Sequence, residues 1–256
     1  MPIRLPSPPS QRLDGRRALI TGAAGGIGTG AAVALAAAGA RVTLCGRTAK
    51  PLNDLAEALN DKGWQADTMI ADVTDLGAMA AAIEAVDPFH VLVNNAGTNR
   101  PGPFTEATPE NFDLMMGLNV RAAYFTAQAV ARRMIAAGTP GSIINMSSQL
   151  GHVGAAGRSL YCATKWAMEG FSRAMAIELA AHGIRVNTLC PTFIETALTK
   201  PYFEVAAFKA EVLSRIKLNR IGTVEDLMGP VTFLASDASA LMTGASLMID
   251  GGWTAE

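Results

Sequence analysis

With 256 residues, half of them hydrophobic and 17% charged, the chain has a globular composition and can bury a sizeable core. Its formal net charge of -1 leaves no basic footprint for nucleic acid, and no block of like charge suggests a polybasic membrane patch. The longest apolar run, Ala31 to Ala40, is shorter than the roughly 20 residues a membrane-spanning helix needs.

Residues 1–12 are Pro-rich, lack the apolar core of a secretory signal and read as a flexible arm. From there the chain alternates short β-branched runs with longer helical patterns. RALIT (Arg17–Thr21) reads as a strand, then a Gly-rich turn and a helix closed by Gly39. RVTLCG is the next strand, followed by a helix over about 51–61. DTMIAD is a strand before a helix over about 76–86, and HVLVNNAG is a strand before a long helical pattern over 109–137. GSIINMSS is a strand before a helix that runs to about His182. IRVNTLCP is a strand before a stretch, Thr192 to Leu218, without clear periodicity. A helix over about 224–236 and the strand SLMIDGG finish the chain.

The strand runs are apolar throughout instead of alternating, as expected for strands covered on both faces. Seven of them in strict alternation with helices predict a single-domain α/β, Rossmann-like doubly wound parallel sheet over residues 13–256. The aperiodic stretch 192–218 reads as a lid or binding loop. Cys45, Cys162 and Cys190 form no CxxC and read as buried small hydrophobes. No cluster of His, Cys, Asp or Glu has metal-ligand spacing, so no catalytic metal is expected. Cytoplasmic residence is the expectation.

The first strand-turn-helix unit carries Gly22, Gly25, Gly26, Ile27 and Gly28 in a G-x3-G-x-G pattern. Glycines there let the backbone approach a pyrophosphate at a helix N-terminus. No carboxylate lies between Gly28 and Lys50 to hold a ribose 2′-hydroxyl, whereas Arg47 follows the second strand, where a guanidinium can pair with a 2′-phosphate. That pattern favours NADP(H) over NAD(H). Asp72 and Val73 follow the third strand and can border the adenine. Farther on, Tyr161 and Lys165 stand four residues apart, on one face of a helix. Alone, that pair is equally consistent with the polar edge of an amphipathic helix.

Taken together, the glycine motif, Asp72-Val73, Asn94-Asn95-Ala96-Gly97, Asn119, Asn145-Met146-Ser147-Ser148, Tyr161-x3-Lys165, Pro191 with Thr196, and Asp250-Gly251-Gly252 resemble the short-chain dehydrogenase/reductase family, in its compact single-domain branch. The chain is similar to gluconate 5-dehydrogenase-like and 3-oxoacyl carrier-protein reductase-like members. The resemblance implies an oxidoreductase passing a hydride between NADP(H) and a ketone or secondary alcohol. Tyr161 would be the general acid/base, Ser148 the carbonyl-polarising hydroxyl (Ser147 is the alternative), and Asn119 part of a proton relay. Lys165 would hold the nicotinamide ribose and lower the phenol's pKa from about 10. Asn95, Ala96 and Gly97 would line the adenosine side, and Pro191, Ile194 and Thr196 the carboxamide side. Where the family usually has Pro-Gly after the sixth strand, this chain has Pro191-Thr192. The family also implies a homotetramer, or a homodimer.

For the substrate, Gln149, His152, Arg158 and Phe193 are the candidate contacts, with Asn99, Arg100, Val153, Tyr202 and Phe203 nearby. Their polarity leans toward a sugar, polyol or sugar acid. A carrier-protein thioester is the alternative, with Arg100, Arg132 and Arg133 as its basic entrance. A non-catalytic dinucleotide-binding protein is a third reading.

Overall fold

The computed structural model describes Ile3 and residues 5–255. Seven parallel strands form one sheet, in the order β3-β2-β1-β4-β5-β6-β7. They are β1 (Arg17–Thr21), β2 (Arg41–Gly46), β3 (Ala66–Ile70), β4 (Val91–Asn94), β5 (Gly141–Met146), β6 (Ile184–Pro191) and β7 (Ser246–Ile249). The register is continuous, from Ala18 opposite Val42 and Val91 to Thr188 opposite Ser246.

The apolar strand runs follow from helices on both faces. Ala18, Ile20, Val42, Leu44, Val91 and Val93 pack into one core with α1 (Gly26–Ala37), α2 (Ala49–Asn60) and α9 (Glu225–Ala235). The alternate residues Leu19, Cys45, Leu92 and Ile143 pack into the opposite core with α3 (Leu76–Glu84) and α5 (Ala123–Ala136). The period of two along a strand sends neighbours to opposite faces, and here neither face meets water. The fold is the doubly wound α/β sheet expected. Strand order reverses between β1 and β4, so a crevice opens beyond the carboxyl ends of these strands.

Two stretches differ from the sequence-based reading. The helical pattern 109–137 is α4 (Pro109–Met116), one widened π-type turn (Gly117–Ala122) and α5. The supposed irregular stretch 192–218 holds two helices, α7 (Lys200–Phe203) and α8 (Ala206–Arg215). These bury little besides Phe203 and Val212. With Ile216 they form a small third core against Phe193, Phe208 and Trp253. So narrow an apolar stripe hides helical periodicity. Residues 5–12 form neither helix nor strand and lie exposed.

Candidate active site

β1 ends at Thr21, and the chain turns through Gly22 at φ 65, a conformation glycine adopts without penalty. A side chain on Gly28 would overlap the Gly22 carbonyl oxygen. This turn is stitched to the loop after β4. Thr21 Oγ1 accepts from the backbone N–H of Asn95 (3.0 Å) and Ala96 (3.0 Å), and Asn95 Nδ2 donates to the Thr21 carbonyl (3.0 Å). Helix α1 then starts at Gly26 with no side-chain cap and no acidic residue in its first turn. Its first N–H groups and the positive end of its dipole are left for an external anion.

Arg47, just past β2, is exposed and reaches Asp72 Oδ2 only at 3.9 Å. Asp72 accepts from Thr74 N (2.9 Å) and Thr74 Oγ1 (2.7 Å), and these bonds, the backbone one first, hold its carboxyl below the usual range. Arg47 therefore keeps most of its charge for a ligand.

At the other end, Ser148 precedes a short 3-10 turn (Gln149–Gly151). Its hydroxyl donates to Gln149 Oε1 (2.7 Å) and accepts from Leu150 N (3.1 Å). Helix α6 (Ser159–Leu179) carries Tyr161 and Lys165 one turn apart. Lys165 Nζ donates to the Met146 carbonyl at the end of β5 (2.7 Å) and lies 5.5 Å from the Tyr161 ring centre. Burial pushes the phenol up to about 12, against a hydrogen bond with Ser148. Burial also pulls the ammonium down to about 8, opposed by Cys190 and Glu169. Burial is the largest influence on the phenol, so with no cofactor charge beside it Tyr161 is held in its neutral form.

Asn119 sits in the widened turn and is fully buried. Oδ1 accepts from Thr98 N (2.8 Å), while Nδ2 donates to Thr98 O (2.8 Å) and Thr164 Oγ1 (3.2 Å). It fastens the loop after β4 to α6. Widened turns of this kind recur at functional sites.

One cleft of about 540 Å³ joins the two ends. Gly22, Gly26, Ile27, Gly28, Arg47, Asn95, Ala96 and Gly97 line it on one side. Ser148, Gln149, Arg158, Tyr161, Lys165, Pro191, Phe193, Ile194 and Thr196 line it on the other. Asp72, Val73, Asn119 and His152 do not. Asp72 turns to Thr74, Val73 is buried in the core beside β2, and Asn119 stands behind the wall. The proposed substrate contact His152 also turns away from the cleft. Its Nε2 faces Glu169 Oε1 (3.4 Å) and Cys190 Sγ (3.6 Å) instead of the cleft.

Sequence reasoning passed over Thr199, whose hydroxyl donates to the Ile194 carbonyl (2.6 Å) and accepts from Thr196 N (2.8 Å), shaping the wall beyond β6. It also passed over Glu169, buried one turn beyond Lys165. Neither carries a local signal, since each acts across elements. The cleft is in the size range of ligand pockets. With the uncapped helix, the glycine turn and the buried, unpartnered Thr192 Oγ1 on its wall, it fits a dinucleotide.

Comparison with known proteins finds close likenesses over nearly the whole chain. Residues 22–254 match a family model described as enoyl-(acyl carrier protein) reductase. D-erythrulose reductase of Gallus gallus is 41% identical, covering 96% of this chain and 98% of its own. L-xylulose reductase of Bos taurus is 40% identical, with 95% and 98% covered. The crystal structure of a gluconate 5-dehydrogenase from Burkholderia cenocepacia, solved with NADP and tartrate, superposes with a TM-score of 0.93 at 38% identity, covering 96% and 98%. The chain belongs to the short-chain dehydrogenase/reductase family, oxidoreductases of alcohol and ketone groups.

Proposed function

We propose that this enzyme transfers a hydride between NADP(H) and the carbonyl or secondary alcohol of a polyhydroxylated compound: a sugar, polyol or sugar acid. The observation that carries the reading is the single cleft linking the glycine turn and Arg47 to Ser148, Tyr161 and Lys165. Relatives named for erythrulose, xylulose and gluconate support this substrate class over a carrier-protein thioester. Neighbours solved with NADP support the role of Arg47 as the 2′-phosphate partner.

NADP(H), when bound, supplies or accepts the hydride and, oxidised, adds a positive charge to the site. The remaining work belongs to the chain. Tyr161, held neutral, gives a proton to the carbonyl oxygen in reduction. Ser148 turns its hydroxyl from Gln149 to that oxygen as negative charge grows. Lys165 supports the phenolate left behind, and Asn119 holds the wall between the loop after β4 and α6. Asn95, Ala96, Gly97, Pro191, Ile194 and Thr196 enclose the cofactor, while Gln149, Arg158 and Phe193 meet the substrate.

The same reading takes residues 13–256 as one domain, residues 1–12 as an arm and the cytoplasm as the place of action. It also takes the assembly as a homotetramer. Phe112, Leu114, Tyr124, Phe125, Trp166 and Ile177 are exposed apolar residues on α4, α5 and α6, a face suited to another copy. The test is turnover of ketoses, polyols, sugar acids and β-ketoacyl thioesters with each cofactor. Fastest turnover of a thioester would overturn the substrate class, and a monomer by light scattering would overturn the assembly.

A further inference from the structure

Behind Ser148 three side chains with ligand chemistry converge from three elements. His152 ends the turn after Ser148, Glu169 lies on α6 and Cys190 on β6. Among the described residues they form the one group of three or more His, Cys, Asp or Glu whose donor atoms lie within 4.8 Å of one another. All three edges of the triangle are known. Cys190 Sγ to His152 Nε2 is 3.6 Å, Cys190 Sγ to Glu169 Oε1 is 3.3 Å, and His152 Nε2 to Glu169 Oε1 is 3.4 Å. A tetrahedral zinc ion bound to S, N and O at its usual lengths holds those atoms about 3.4–3.6 Å apart. The 3.4 and 3.6 Å edges match this and the 3.3 Å edge is slightly short, so an ion at about 2.0–2.3 Å from each fits with a small opening of the Cys190–Glu169 edge.

We propose that His152, Glu169 and Cys190 form a binding site for a zinc-type divalent metal, distinct from the hydride-transfer chemistry, with its fourth position open. Surrounding groups already orient the ligands. The two carboxylate oxygens are divided in role: Oε1 faces Cys190 and His152, while Oε2 accepts from Ser246 Oγ (2.6 Å) and Thr188 Oγ1 (3.0 Å), with Arg173 Nη2 at 3.7 Å. A carboxylate held by its far oxygen presents the near one in a fixed direction. Glu169 and Cys190 stand on a helix and a strand, and Gly151 packs against Glu169 so closely that a Cβ would lie 3.1 Å from its Cγ. Entry is by way of His152, whose side chain is 25% exposed while that of Glu169 is 2%. Thiolate and imidazole select zinc or cobalt over magnesium or calcium.

Coordination balances simply. The Cys190 thiol loses its proton to solvent, the imidazole stays neutral with its hydrogen on Nδ1, and Glu169 binds as the carboxylate. One proton leaves per ion bound. The ion would tie the turn after Ser148 to α6 and β6.

The test uses the full chain, treated with a chelator and then dialysed against ZnCl2 or CoCl2. The expected result is one metal ion per chain, one proton released on binding, and a thiolate-to-Co2+ charge-transfer band. Cys190→Ala should lose the band and bind zinc at least about 100-fold more weakly, more than removal of a supporting group costs. In wild-type protein the thiolate-to-Co2+ band should saturate at one equivalent of CoCl2 and be bleached by added ZnCl2, a readout that stands even if the variant does not fold. No zinc beyond that held by Cys190→Ala, or a cobalt spectrum without the thiolate band, would overturn the site and leave a hydrogen-bonded trio.

Discussion

The two ends of the cleft are made of different material. The nucleotide end is built from backbone: a turn at Gly22, an uncapped helix start at Gly26 and a loop stitched by Thr21 and Asn95. Its one charged side chain, Arg47, stands in solvent. The reacting end is built from side chains out of water, where burial drives Tyr161 up and Lys165 down. A site made of backbone fails when atoms are added; a site made of side chains fails when atoms are removed.

The largest effect should come from removal at the reacting end. Tyr161→Phe deletes the proposed acid, and turnover should fall about 10³-fold or more while NADPH still binds, as read by fluorescence titration. Near-normal turnover would break the assignment. Lys165→Met should cut kcat about 100-fold and yet raise thermal stability at pH 7, by about 1–2 kcal/mol. Lys165 falls from 10.5 in the unfolded chain to about 8 in the fold. Burying the ammonium thus carries its full cost below pH 8. Between about 8 and 10.5 the unfolded chain holds the extra proton, wild-type stability rises with pH, and the variant's advantage shrinks. Tyr161 works in the opposite sense, stabilising below 10 and losing that contribution as pH rises toward 12. Denaturant midpoints from pH 7 to 10.5 check the Lys165 sign. A gap that widens with pH contradicts it.

At the nucleotide end the damage should come from addition. Gly28→Ala sets a methyl group against the Gly22 carbonyl, the Ala23 Cα and Asn95 Nδ2. Backbone cannot yield as a flexible side chain can, so the variant should lose about 1–3 kcal/mol of stability. NADPH affinity should drop with it. Unchanged melting would mean that the turn is looser than its contacts imply.

The same contrast explains what was legible in the chain. Strands β1, β2 and β6 are short runs rich in β-branched and apolar residues, each bounded by Gly, Pro or charged residues, and their bounds coincide with the predicted ones. Glycine spacing reports a backbone site because spacing along the chain is the geometry of a turn. The reacting end was visible only through the resemblance, since Ser148 meets Tyr161 across elements and Asn119 acts on α6 from a third. The widened turn at Gly117–Ala122 left no mark, because its residues suit a helix of either width. α7 and α8 were missed because two short helices around Phe203 and Val212 present too narrow a stripe to register. His152 was assigned to the substrate by proximity to Ser148; its direction is set by Glu169 and Cys190, 17 and 38 residues away in sequence.

Arg47 sharpens the comparison from the solvent side. Its ion pair with Asp72, exposed and 3.9 Å long, contributes little to stability. Arg47→Ala should leave the melting temperature unchanged. It should raise KM for NADPH about 10–100-fold, the worth of a charge-assisted contact, while KM for NADH stays near its original value. Equal changes in both would refute a selector role.

The smallest effect falls where the two ends meet. Thr192 replaces the glycine usual in the family, and its Oγ1 is buried without a partner on the wall of the cleft. Thr192→Val keeps the shape and removes the hydroxyl. Since that hydroxyl has no bond to lose, the free protein should be as stable as wild type, or more stable by up to about 1 kcal/mol. If the hydroxyl completes the enclosure of the dinucleotide, the Kd for NADPH rises about 2–10-fold, the net worth of one hydrogen bond. Calorimetric titration separates the outcomes. An unchanged Kd with a stabler protein means that Thr192 only fills space, and that the nucleotide end takes nothing from side chains beyond Arg47.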